Sequence, residues 1–248
     1  MMISATGIEY CYIKHHSAKD CVVINTGANV TIEDNRWLQD ELAKRYSVLL
    51  FNRGGYGRSP LNTKVRTPEV VSQELHSLLI ELDIKNAILL GPSLGGLYGR
   101  YFNYKYPDLV KALVAVDSPI SFIFEKIEAH LPKDIKQLVQ QELSLLKPIN
   151  PVIDSELLEV TKLEFTDFSY HQKPVLNFYN TYLGDDAEFV SQLIVDVAKQ
   201  EAEKEGCVRL AFSATGHDII SNDLDFFLAT FHRFIDDINS DSKSSITQ

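Results

Sequence analysis

NAILLGPSLGGLYGRYFNYKY, Asn86–Tyr106, carries an apolar run through a glycine-rich turn into residues of helical character. Asn86–Leu90 has the length and apolar content of a buried strand, and LYGRYFNYKY suits a helix. A strand that passes into a helix within so few residues needs positions free of side chains, and Gly91, Gly95 and Gly96 meet that need. Ser93 sits at the centre of the turn. Gly91-Pro92-Ser93-Leu94-Gly95 matches G-x-S-x-G, a pattern that a chain of this length would hold on the order of 0.1 times by chance. Capping of the following helix would account for the serine but not for three glycines around it.

Working outward, short apolar runs alternate with longer segments of helical period. The runs are IEYCYIKH, CVVINT, YSVLLFN, NAILLG, VKALVAVD, KPVLNFY and CVRLAFS. This alternation predicts an α/β fold: a mostly parallel, doubly wound sheet of the eight-strand type with helices on both faces. Thr67 and Pro68 give a helix N-terminus, and Val71, Leu75, Leu78, Leu79 and Leu82 form one apolar stripe behind it. About 55 residues separate VAVD from KPVLNFY where a crossover needs about a dozen. The surplus, with a helical stripe of Ile135, Leu138, Val139 and Leu143, predicts an inserted helical cap over 120–172, between core segments 1–119 and 173–240. The alternative is that these helices finish the core. DLDFFLATFHRFIDDI reads as a closing helix, and 241–248 as a polar, disordered tail.

The 248 residues suffice for one large domain. With 34 acidic against 24 basic residues the formal charge is −10, which repels nucleic acid and anionic membrane surfaces. Nothing in the chain resembles an export signal or a membrane span, so a cytoplasmic location is expected. Cys11, Cys21 and Cys207 lack C-x-x-C spacing and fall in or beside predicted strands, in keeping with reduced thiols. No metal-ligand set and no P-loop emerge, and no cofactor is implied.

Taken together, these motifs resemble the α/β-hydrolase fold superfamily over nearly the whole chain. LLGPSLGG looks like its nucleophile elbow, and YKYPDLVKALVAVDSP like the helix end and strand that follow. FNRGGYGRSP resembles the family's Asp-Arg-x-Gly-x-Gly-x-Ser turn, with Asn52 where Asp is usual. The resemblance implies a serine nucleophile at Ser93. Serine needs a base within hydrogen-bond reach, and histidine titrates in the useful range. Of seven histidines, His217 in CVRLAFSATGHDII stands where the family carries its base; His15, His16, His76, His130, His171 and His232 fall in a polar turn, on helices or near the cap. The family's acid usually follows the seventh strand, where KPVLNFYNTYLGDD places Asp185 and Asp186. Asp185 and Glu188 have capping-box spacing, which favours Asp186 as the acid without excluding Asp185. Asp117, in VAVDSP, is a third candidate because some members place the acid there. INTGANV aligns Thr26-Gly27 with the family's His-Gly, which makes the N–H groups of Ala28 and Leu94 the expected oxyanion hole.

The expected function is therefore a serine hydrolase that cleaves a small carboxylic ester through an acyl-enzyme, with a small-molecule acyl substrate as its partner. A thioesterase, amidase or C–C bond hydrolase uses the same constellation, and a non-catalytic receptor or interaction protein on this fold is the rival reading. Phe122, Phe124, Phe165, Phe168 and Tyr170, at the cap or its joins, favour an apolar acyl or aromatic substrate. The sequence leaves oligomeric state open.

Overall fold

A computed structural model describes residues 1–63, 65–118, 148–162, 173–182 and 188–244, together with 129, 131–133, 136 and 137. Eight strands form one sheet: β1 (Met2–Ile3), β2 (Glu9–Ile13), β3 (Cys21–Ile24), β4 (Ser47–Phe51), β5 (Ala87–Pro92), β6 (Val110–Val116), β7 (Val175–Asn180) and β8 (Val208–Ser213). Their spatial order is β1-β2-β4-β3-β5-β6-β7-β8. The β1–β2 and β2–β4 pairs are antiparallel and all others parallel. Seven strands coincide with the seven apolar runs. β1 is two exposed residues, too short to show periodicity.

The described helices are α1 (Ile32–Leu42), α2 (Pro68–Glu81), α3 (Leu94–Lys105), α4 (Pro151–Thr161), α5 (Glu188–Glu205), α6 (Ile219–Asn222) and α7 (Leu224–Ser244). The predicted start of α2 is present: Thr67 accepts a hydrogen bond from the Val70 N–H at 3.2 Å, and Pro68 occupies the first turn. Alternation along the strands divides the core between the two faces of the sheet. Val22 and Ile24 pack with Leu38 and Leu42 of α1 and with Phe227, Phe231, Phe234 and Ile235 of α7. Cys21 and Val23 point the other way, toward Leu75, Leu78 and Leu79 of α2 and Phe102 of α3. α7 continues to Ser244, so its helix takes in the first residues of the predicted polar tail.

Strand register decides what meets at the carboxyl edge. Pro92 pairs with Val116, Val116 with Phe178, and Asn180 with Ser213. Ser93 and Asp117 therefore leave neighbouring strands side by side, roughly one strand spacing of 4.8 Å apart. The β8–α6 loop that bears His217 comes up next to them. This is the edge at which open α/β sheets place their sites.

Candidate active site

Ser93 joins β5 to α3 with φ 49° and ψ −127°, a conformation that costs a non-glycine residue about 1–3 kcal/mol. Its neighbours have no room for side chains. A Cβ on Gly91 would lie 2.3 Å from the Gly95 carbonyl carbon and the Gly96 nitrogen, and one on Gly95 would lie 1.7 Å from the Asn25 carbonyl oxygen. The Ser93 N–H donates to the Val116 carbonyl at 2.8 Å, which fastens the turn to β6. The glycines thus permit the turn to press against the β3–α1 loop while Ser93 faces outward. Pro92 ends β5 and supplies no N–H to a ladder there.

Ser93 lines a cavity of ≈ 370 Å³ together with Gly27, Ala28, Trp37, His217 and Ile220. The structure brings His217 and Ser93 into this one space. It joins His217 to Asp117: Nδ1 lies 2.6 Å from Asp117 Oδ2. A carboxylate can only accept there, so Nδ1 carries the proton and Nε2 keeps its lone pair for a base's task. The hydrogen bond to Asp117 raises the pKa of His217 above its usual value, against the opposing effect of burial. The second oxygen of Asp117 accepts from the Asn180 N–H at 3.0 Å, so both carboxylate oxygens are anchored. Asp117 also has a positive φ of 43°. Of the four non-glycine residues with positive φ among those described, Asn29, Ser93 and Asp117 belong to loops that meet here.

Asp185 and Asp186 lie outside the described residues, as do His130, His171 and the aromatic set Phe122, Phe124, Phe165, Phe168 and Tyr170. His15 and His16 stack on each other, His76 stacks on Tyr106, and His232 bonds the Tyr46 hydroxyl at 3.0 Å. At the end of β7 stands Asn180, whose role sequence reading did not anticipate. Its Oδ1 accepts from the N–H groups of Tyr182 at 3.0 Å and Gly216 at 3.1 Å, and its Nδ2 donates to the Tyr182 carbonyl at 2.8 Å. That carboxamide ties the β7 exit to the residue before His217. The only sequence signal was its place at the end of an apolar run.

The β3–α1 loop supplies the other wall. The Thr26 hydroxyl donates to the Val30 carbonyl at 2.8 Å, so this loop closes on itself without the histidine usual in the resembling family. Gly27 lies against the serine: a Cβ there would be 3.6 Å from Ser93 Cβ. Among the described residues neither the Ala28 N–H nor the Leu94 N–H donates to an acceptor. Asn52 holds the loop's far end, since its Oδ1 accepts from the Ile32 N–H at 2.9 Å and its Nδ2 donates to Glu9 Oε2 at 2.8 Å. Glu9 is itself buried. A carboxylate at position 52 would face another carboxylate, and this is the physical reason for asparagine there. Among the described residues there is no cluster of three or more metal-ligating side chains.

The strand order, and the sharp strand-to-helix turn with a strained serine at its carboxyl edge, define an α/β protein of the doubly wound class. The family model for the alpha/beta hydrolase fold matches residues 21–146, more than half of the chain, and the chain belongs to that family. It is 38% identical over 82 residues to a (lyso)-N-acylphosphatidylethanolamine lipase of Bos taurus, a match that covers 32% of this chain and 24% of that one. The match therefore spans about a quarter of that relative's length. Among solved structures, an enol-lactonase from Burkholderia xenovorans superposes with a TM-score of 0.68 at 16% identity, covering 94% of this chain and 98% of that one. An esterase from Exiguobacterium antarcticum gives 0.67 at 15% identity, over 92% and 95%. These two likenesses establish the fold. Among the described residues no helix is long and apolar enough to cross a membrane.

Proposed function

We propose that the protein is a serine hydrolase of small carboxylic esters, with Ser93 as nucleophile, His217 as base and Asp117 as acid. The observation that carries the reading is the 2.6 Å bond from His217 to Asp117 beside a strained serine in a shared cavity. In this reading Asp117 replaces the preference for Asp185 or Asp186, because the nitrogen an acid must hold is already engaged. Ser93 Oγ attacks the ester carbonyl carbon as His217 Nε2 takes the hydroxyl proton. The Ala28 and Leu94 N–H groups receive the oxyanion. As the tetrahedral adduct collapses, the C–O bond to the leaving alcohol breaks and the imidazolium returns the proton to it. Water, deprotonated by the same nitrogen, then releases the acid from Ser93. The names of the lipase, lactonase and esterase relatives agree with this chemistry.

The described lining holds Asp34 and Asp218 and neither lysine nor arginine, so a neutral ester suits it better than an anionic one. A fluorophosphonate probe and p-nitrophenyl acetate test the assignment. Wild-type protein is expected to be labelled and to turn over the ester, and Ser93→Ala to do neither, with a loss on the order of a millionfold. Wild-type protein that resists the probe, beside a labelled control hydrolase, sinks the reading in favour of a binding protein on this fold.

A further inference from the structure

Outside the site itself lies a wholly buried ion pair between Arg53, which follows β4, and Glu156 on α4. α4 comes from the long segment between β6 and β7. Asn150 caps it, with Oδ1 accepting from Val152 and Ile153, and Val160 packs against Val71, Leu94, Leu97 and Tyr98. The helix is therefore seated beside the one that starts at the elbow. From it the Glu156 carboxylate accepts from Arg53 Nε at 3.0 Å, from Arg53 Nη2 at 3.1 Å and from the Tyr56 hydroxyl at 2.7 Å. Arg53 lies over the rings of Tyr56 and Tyr98, with centroids 4.6 and 5.3 Å away. Burial works against its charge, and Glu156 with the two tyrosines more than offsets that, so its pKa is raised.

The other edge of the guanidinium faces the β3–α1 loop. Nη1 donates to the Thr26 carbonyl at 2.5 Å and to Asn25 Oδ1 at 3.2 Å, and Nη2 donates to the Gly27 carbonyl at 3.0 Å. The Gly27 carbonyl and the Ala28 N–H are the two ends of one planar trans peptide and point in opposite directions. A donor fixed on that oxygen therefore aims the Ala28 N–H toward the cavity. A charged donor also polarises the peptide and makes its N–H a stronger donor. Without Glu156, Arg53 would be a buried charge with no counter-ion, and its Nε edge would lose the bidentate contact that fixes the turn of the fork toward the loop.

We propose that Glu156 is a positioning residue for the oxyanion hole, acting through Arg53 on the Gly27–Ala28 peptide, so that the segment between β6 and β7 completes the catalytic machinery. The inference rests on the serine-hydrolase reading. Its test compares wild type with Glu156→Gln and with the double variant Arg53→Met/Glu156→Leu, which replaces the pair by apolar side chains and leaves no buried charge if the single variant fails to fold. Active-site-titrated kcat and KM on p-nitrophenyl acetate are measured alongside inhibition by an aryl trifluoromethyl ketone, whose serine adduct carries an oxyanion. In the folded variants kcat is expected to fall about 10- to 100-fold with KM within about twofold, and inhibition to weaken by the same factor as kcat. Unchanged kcat per active site, or unchanged inhibition, overturns the proposal and leaves the pair a support of the fold. Wild-type protein that is neither labelled by fluorophosphonate nor active overturns the hydrolase reading first, before any variant is compared.

Discussion

Asp117 is the residue at which proton chemistry and backbone geometry coincide. In the proposed reaction the chemical step needs neutral His217, and the bond to Asp117 stabilises the protonated form. The acid limb of kcat/KM is therefore expected above the ordinary histidine value of about 6.5, with activity falling as pH drops through it. In Asp117→Asn the limb should move to lower pH while the plateau falls by about ten-thousandfold. A pH–rate profile in which the limb stays put would remove Asp117 from the triad. Asn180→Ala tests the neighbouring contact. It frees the N–H groups of Gly216 and Tyr182 and should lower kcat by about 10-fold through a looser His217 loop. The turns that carry Ser93 and His217 are local features of the sequence, whereas the contact of His217 with Asp117 joins residues 100 positions apart and leaves no local mark.

Elements meet at this site through loops that follow β3, β4, β5, β6 and β8, and Asn52 shows how their joins are matched. Its amide answers a backbone N–H on one side and the buried Glu9 carboxylate on the other, which no aspartate can do while charged. Asn52→Asp is expected to destabilise the fold by about 2–3 kcal/mol near pH 8, since a lost hydrogen bond is joined by like-charge repulsion. Repulsion raises the folded-state pKa of the introduced pair. An acid whose pKa is raised by folding is penalised most above that pKa, so the deficit should shrink on going to about pH 6. Urea midpoints at the two pH values measure this, and an equal deficit at both would point to packing alone. The motif was legible as a turn, but the reason for its departure from Asp lay in β2, more than forty positions earlier.

At the scale of the whole molecule, the single tryptophan, Trp37 on α1, lines the cavity across from the elbow and is 41% exposed. Intrinsic fluorescence therefore reports on the site. Covalent attachment of an aryl phosphonate to Ser93 should shift or quench Trp37 emission with the time course of inactivation, and Ser93→Ala should show no change. Emission blind to labelling would place the bound group away from α1. The core follows a simpler logic: Phe231→Ala, at a fully buried position between α7 and the sheet, should cost about 3–5 kcal/mol in chemical denaturation. What the sequence by itself determined was seven of the eight strands, the helix that starts at Pro68, the closing helix and the glycine-rich turn at Ser93, because periodicity, glycine spacing and helix caps are local properties of a chain. The tertiary structure alone decided the carboxylate that holds His217, the partner of Asn52 and the Arg53–Glu156 clamp. Each joins residues remote in sequence, and a remote pairing leaves no periodic mark; only strand register and helix packing bring such side chains within hydrogen-bond distance.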